Sequence, residues 1–184
     1  MSDFQPELAR EEYAALRATV RERGTVRVVL FITTLGLWGA LVVATAAAIT
    51  LPVAALIPLI VLAGGFEGIA SLHIGVERVG RYLQVRFEGD TAESSAIPTG
   101  WERTSMAWGR RFPGTGTDPL FTTSFYVATA VNYIPVALTG ETSELVLLAV
   151  VHFAVAWRMI RVRGWAARQR AEDLERFRVI LSPH

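Results

Sequence analysis

Residues 28–50, VVLFITTLGLWGALVVATAAAIT, and 53–75, VAALIPLIVLAGGFEGIASLHIG, contain no basic residue other than His73 and a single acid, Glu67. A hydrocarbon core about 30 Å thick is crossed by about 20 apolar residues in a helix rising about 1.5 Å per residue. Each stretch is therefore long enough to span. The break at Thr50-Leu51-Pro52 is too tight to hold a domain, so the two spans should form an antiparallel hairpin. The same pattern returns at 120–138 and 144–160, joined by Thr139-Gly140-Glu141-Thr142-Ser143. The expected fold is an all-α integral membrane protein with four transmembrane helices, arranged as two hairpins with cytoplasmic amphipathic helices.

Orientation follows from the arginines. All 18 basic residues are arginine; five precede the first hairpin, six lie between the hairpins and seven follow the second. No arginine falls between Arg27 and Arg78 or between Arg111 and Arg158. By the positive-inside rule, both termini and the middle segment are cytoplasmic and the two turns face outward. The expected organisation is a cytoplasmic N-terminal amphipathic helix (1–27), hairpin 1 (28–75), a cytoplasmic extension, loop and interfacial helix (76–119), hairpin 2 (120–160) and a basic cytoplasmic C-terminal helix (161–184). A cleaved leader is not expected, since a polar segment precedes a run of full spanning length. The exclusion of lysine points through codon usage to a GC-rich bacterial genome, and so to a bacterial inner membrane. Without cysteine, the chain has no disulfide or thiolate site.

Charge is unevenly placed. Arginines and acids balance in the N-terminal and middle segments, whereas 158–184 holds seven arginines against Glu172, Asp173 and Glu175. That tail is the part expected to meet anionic lipid headgroups, at about 1 kcal/mol per charge near the surface.

Along the cytoplasmic segments, Ala9, Tyr13, Leu16 and Val20 form the apolar stripe of a helix over 6–23, which Gly24 is expected to interrupt. Beyond Gly75, the stripe Val76, Gly80, Leu83 and Phe87 and the i, i+4 ladder His73, Glu77 and Arg81 extend the second span as helix to about Phe87. A loop over 89–100 follows. Trp101, Ser105 and Trp108 beside Arg103, Arg110 and Arg111 predict a short helix at headgroup level. The glycines of 112–117 lack the preceding strand and the lysine of a phosphate-binding loop, and Asp118-Pro119 starts the next helix. Trp165, Leu174, Phe177 and Leu181 mark one side of a helix over 161–181, either separate or a continuation of the fourth membrane helix into the cytoplasm.

Within the spans, Gly36, Ala40, Ala44 and Ala48 form a strip of small residues, and Gly64 and Gly68 a second; such strips allow close helix packing or association between copies. Pro58 and Pro135 are expected to kink their helices. Ionisable or strongly polar side chains in a bilayer are costly and mark candidate sites. Glu67, His73, Asn132 and His152 qualify. For Glu67 the alternatives are a protonated carboxyl bonded to a neighbouring helix or a proton or cation relay; for Asn132 and His152, interhelical hydrogen bonding is favoured. His73 and Glu77 supply one donor pair, with His152 and His184 distant, so neither a metal nor a cofactor is expected. No serine has a base partner, no close acids suggest hydrolysis, and no aromatic and basic interleaving suggests nucleic acid.

Glu12-Tyr13 with Leu16-Arg17, the run Ile74-Gly75-Val76-Glu77-Arg78-Val79-Gly80-Arg81-Tyr82-Leu83, and Trp101-Glu102 resemble elements of small, uncharacterised bacterial multi-pass membrane proteins, over roughly the first 105 residues. That resemblance implies topology rather than activity. The arrangement is also similar to the SLATT-type membrane effectors of bacterial defence systems, which pair one membrane hairpin with cytoplasmic helices where this chain has two. The expected function is a non-enzymatic membrane subunit or assembly protein holding a partner or a second copy. Its candidate interface residues are Tyr13, Leu16, Glu77, Arg81, Trp101, Trp108, Trp165 and Phe177. The alternatives are an oligomeric channel or pore-forming effector with Glu67 near its path, and a lipid-modifying enzyme using His73 and Glu77.

Overall fold

A computed structural model describes residues 4–48, 51–88, 100–112 and 118–181. Among them every element is helical: α1 (Phe4–Ala48), a 3₁₀ turn (Pro52–Ala55), α2 (Leu56–Glu88), α3 (Trp101–Arg111), α4 (Asp118–Thr139) and α5 (Thr142–Leu181). Expectations that fall on 49–50, 89–99, 113–117 and 182–184, and the cap assigned to the Asp118 side chain, lie outside the described residues.

Three stretches, Pro6–Ala47, Pro52–Glu88 and Thr142–Leu181, are long and apolar enough to cross a membrane. The 22-residue α4 is not among them, since Thr122, Thr123, Ser124, Thr129, Asn132 and Tyr133 interrupt its apolar run. Thr122, Thr129 and Asn132 are buried, while Val127, Ile134 and Leu138 are exposed. Half of the polar residues of α4 are thus turned inward, while Thr123 is exposed.

Gly24 does not interrupt the first helix; α1 is continuous over 45 residues. An interior glycine costs about 1 kcal/mol relative to alanine, which the helix-favouring residues on either side absorb. The C-terminal segment likewise continues α5, which runs for 40 residues. Pro58 is not a mid-helix kink: α2 begins at Leu56, so the proline stands in the first turn, where backbone N–H groups lack helical partners anyway. Pro135 does lie inside α4.

The chain forms two compact units. A charged unit comprises Met1–Arg27, Leu72–Gly116 and Ala166–His184, and an apolar unit comprises Val28–Ser71 and Thr117–Trp165. In the apolar unit, Leu62, Phe66 and Ile69 of α2 meet Phe125 and Ala128 of α4 and Met159 and Val162 of α5, with Leu30, Phe31, Leu35 and Trp38 of α1 packed against them. Phe125 receives Phe31 and Phe66 edge-on at centroid distances of 6.0 and 5.5 Å.

The surface of this unit is more telling than its core. Roughly twenty large apolar side chains, among them Ile32, Val43, Ile60, Leu138 and Phe153, are exposed. Leaving each in water forgoes about 1.5–3 kcal/mol, a total well above the roughly 5–15 kcal/mol by which a domain is usually stable. In hydrocarbon that penalty vanishes.

Close helix approach occurs where the α1 strip of small residues does not. Gly36, Ala40 and Ala44 are exposed, because α1 turns the bulkier Leu30, Phe31, Thr34 and Trp38 toward the core. Contact instead centres on Thr34, buried against Gly65: a Cβ at Gly65 would collide with the Thr34 side chain, and one at Gly68 would lie 3.0 Å from Leu30. A Cβ at Gly64 meets open space. We expect Gly65→Ala to destabilise the protein by about 1–3 kcal/mol through overpacking, and Gly64→Ala to be neutral or slightly stabilising, as measured by thermal unfolding in detergent.

Candidate functional site

The charged unit is braced by a chain of ion pairs that starts from the His73, Glu77 and Arg81 ladder. Arg81 is 3 % exposed; its Nη1 donates to Gln84 Oε1 at 2.9 Å, and its Nη2 lies 3.8 Å from both Glu77 and Glu102. Glu102 of α3 also accepts from Arg17 of α1 at 2.8 Å. Glu77 takes Arg170 of α5 at 2.7 Å. A second connection joins Arg78 to Asp173 at 2.9 Å, with Gln169 donating to the other Asp173 oxygen at 2.9 Å. Burying Arg81 is tolerable only because both carboxylates surround it. Burial nevertheless lowers the Arg81 pKa against the pull of Glu77 and Glu102, and burial raises that of Glu102 against Arg17 and Arg81.

α3 is placed by its ends. Gly100 precedes it at φ 92°, a left-handed conformation that glycine adopts without strain, and a Cβ there would collide with Glu88. The Glu88 carboxylate, from the end of α2, accepts from the backbone N–H groups of Glu102 and Arg103 at 2.9 and 3.0 Å. A carboxylate here satisfies two unpaired amides and complements the positive end of the helix. With Glu102 drawn inward, an adjoining side of α3 presents Trp101 and Trp108, and Phe112 follows its end, exposed by 65, 58 and 42 %.

His73 lies in this unit, and Arg27 Nη1 is 3.1 Å from its Nδ1. An arginine can only donate, so Nδ1 is the acceptor and the ring proton sits on Nε2. His73, Glu77, Gln169, Arg170 and Asp173 line one small cavity. Among the described residues no group of three His, Cys, Asp or Glu side chains is placed to hold a metal.

In the apolar unit the structure brings Asn132 and His152 together. Asn132 Nδ2 is 3.0 Å from His152 Nε2 and donates to the Ala55 carbonyl at 2.9 Å, while its Oδ1 accepts from the Trp38 indole at 3.1 Å. His152 Nδ1 lies 2.7 Å from the Leu148 carbonyl. One proton arrangement satisfies every contact: Nδ1–H donates to Leu148 and Nε2 accepts from Asn132. Asn132, 1 % exposed, thereby joins α1, the turn before α2, α4 and α5. Glu67 is not part of this group. It pairs two-pronged with Arg158, Nε to Oε1 at 2.6 Å and Nη2 to Oε2 at 3.2 Å.

The expected interface residues separate by environment. Trp101, Trp108 and Trp165 are exposed, and Tyr13 is 39 % exposed with its ring edge-on to Phe87 at 5.3 Å. Leu16 is half-buried, Phe177 packs on Tyr82 at 5.5 Å, and Glu77 and Arg81 belong to the internal network. Sequence reasoning missed Arg17, Trp38, Glu88, Glu102, Arg158 and Asp173. The signal for Arg158 was available, since an intramembrane acid calls for a cation on an adjacent helix. Compared with known protein families, curated protein sequences and solved structures, the chain has no significant match.

Arg81→Met should cost about 3–5 kcal/mol, because Glu77 and Glu102 lose a buried partner; adding Glu102→Gln should recover part of the loss in unfolding measurements. Asp173 supplies a pH test. Burial pushes its carboxyl up, but the hydrogen bonds from Arg78 and Gln169 and the charges of Arg78 and Arg176 hold it below its ordinary 3.8. A folded-state pKa below the unfolded one gives stability that is full above the unfolded value and lost as pH falls through the folded value. Asp173→Asn should therefore flatten the acid limb of the melting-temperature profile below about pH 4, and lower the melting temperature at pH 7.

Proposed function

We propose that this chain is a non-enzymatic membrane subunit that assembles with another protein chain, a second copy or a partner, through its cytoplasmic helices. The observation that carries this is the pair of exposed tryptophans on α3, followed by an exposed Phe112. The charged Glu102 of α3 is turned inward onto Arg17 and Arg81, and Trp101, Trp108 and Phe112 are left outside. A helix held rigidly by Glu88 at its start and by Glu102 on its inner side presents an aromatic contact surface at little entropic cost.

The topology that supports this reading has four spans in two hairpins, in a bacterial inner membrane, with termini and middle segment cytoplasmic. α4 serves as the fourth span, with Thr122, Thr129 and Asn132 inward. The arginine distribution supports the orientation. Arg161, Arg163 and Arg168 are exposed and available to anionic headgroups, whereas Arg170 and Arg176 are engaged with acids. A channel lined by Glu67 draws less support, since both its carboxylate oxygens are taken by Arg158.

The test is the mass of the particle extracted in a mild detergent, for wild type and for the Trp101→Ala, Trp108→Ala double variant. We expect the wild type as a complex and the variant as a single chain with unchanged helicity. An identical mass for both, whether single chain or complex, removes α3 as the assembly surface.

A further inference from the structure

The Glu67 and Arg158 pair sits at the surface of the apolar unit, with side chains 43 and 63 % exposed. It lies beside a groove between α2 and α5 of about 250 Å³, otherwise lined by Ala63, Phe66, Val151, Ala154, Val155 and Met159. At the ~30 Å³ that a water occupies in liquid, this has room for roughly eight water-sized groups, enough for a segment of acyl chain. The lining is apolar along its length and charged at one place. That is the shape of a site for an amphiphile.

The charges narrow the choice. Glu67 uses one lone-pair direction on each oxygen toward Arg158, and each carboxylate oxygen has a second. Arg158 uses Nε and one N–H of Nη2, leaving three N–H groups on the exposed side of the guanidinium. Arg161, exposed and three residues on, shares that side of α5. A purely anionic headgroup would meet Glu67 unfavourably, and a purely cationic one would meet Arg158 and Arg161 unfavourably. A headgroup carrying both a phosphodiester and a primary ammonium complements both. Trp157, the neighbour of Arg158 in sequence, is exposed, as an aromatic side chain at a headgroup boundary is.

We propose that this groove is a binding site for a zwitterionic aminophospholipid. The ammonium sits on Glu67, the phosphodiester on Arg158 and Arg161, and an acyl chain runs along Ala63, Val151 and Ala154. The site rests on the apolar unit lying in a bilayer and is independent of any assembly through α3.

The experiment is native mass spectrometry of the full chain from detergent, titrated separately with phosphatidylethanolamine, phosphatidylcholine and phosphatidylglycerol of the same acyl composition. We expect phosphatidylethanolamine to bind about tenfold tighter than either of the others. Glu67→Gln should erase that preference while leaving phosphatidylglycerol binding unchanged or stronger. Ala154→Trp, a substitution at an exposed groove position that leaves the ion pair in place, should remove retention of phosphatidylethanolamine without altering the melting temperature. Equal retention of the three lipids by wild type, or retention unaffected by Ala154→Trp, overturns the proposal. So does a change of particle mass on Ala154→Trp, which would make the occupant a protein chain.

Discussion

A polar group removed from water must find its partners within the protein, and each unit of this chain is organised around one such group. In the apolar unit it is Asn132, whose oxygen and nitrogen are both spent on Trp38, Ala55 and His152. In the charged unit it is Arg81, which bonds Gln84 through Nη1 and has Glu77 and Glu102 at 3.8 Å to offset its charge, while its buried Nε makes no hydrogen bond. The solutions differ because the surroundings differ. A buried hydrogen bond contributes a net of only about 0.5–1.5 kcal/mol, so Asn132 acts mainly by fixing which faces of four segments meet. Arg81 carries a full charge, and its removal leaves Glu77 and Glu102 facing each other with only Arg170 and Arg17 to offset them.

The ion pairs of the charged unit are not equivalent in energy. Arg176 with Glu172 is exposed on both sides, and such pairs are worth about 0–1 kcal/mol. Arg81 with Glu102 is nearly closed to solvent, and a well-packed apolar replacement of the whole group could be as stable. Its value is in specification. Glu102 meets Arg81 and Arg17 only when α3 sits in one register, and the Glu88 cap and the left-handed Gly100 fix the same register from the helix start.

The helices were legible in sequence because their signals are long and redundant: apolar runs of spanning length, arginines confined to particular segments, and the His73, Glu77, Arg81 ladder. Faces were less legible. The strip Gly36, Ala40, Ala44 is as good a packing surface by composition as the side that α1 actually uses, and the choice was made by how much Phe31, Leu35 and Trp38 bury against α4 and α2. Helix ends were misjudged at Gly24 because a propensity cost near 1 kcal/mol is small beside packing on either side. Glu67 was recognised as unusual, and its cost in a membrane calls for a cation on a neighbouring helix, but that the cation is Arg158, 91 residues away, is set by the fold.

The exposed aromatic stripe of α3 sets a scale for what it can hold. Trp101, Trp108 and Phe112 are each about half exposed, and side chains of this type bury roughly 150–250 Å² when fully covered. At about 25 cal/mol per Å², completing that burial gains on the order of 2–3 kcal/mol per side chain, or about 6–9 kcal/mol in all. Immobilising a partner free in solution costs an estimated 4–15 kcal/mol, so the stripe alone gives at best weak association in three dimensions. A partner held in the same bilayer has already lost part of that freedom and meets the surface at a raised effective concentration. A contact too small for a soluble complex is therefore adequate for membrane proteins that are already confined together, and under the proposed assembly this favours a membrane-resident chain over a soluble one.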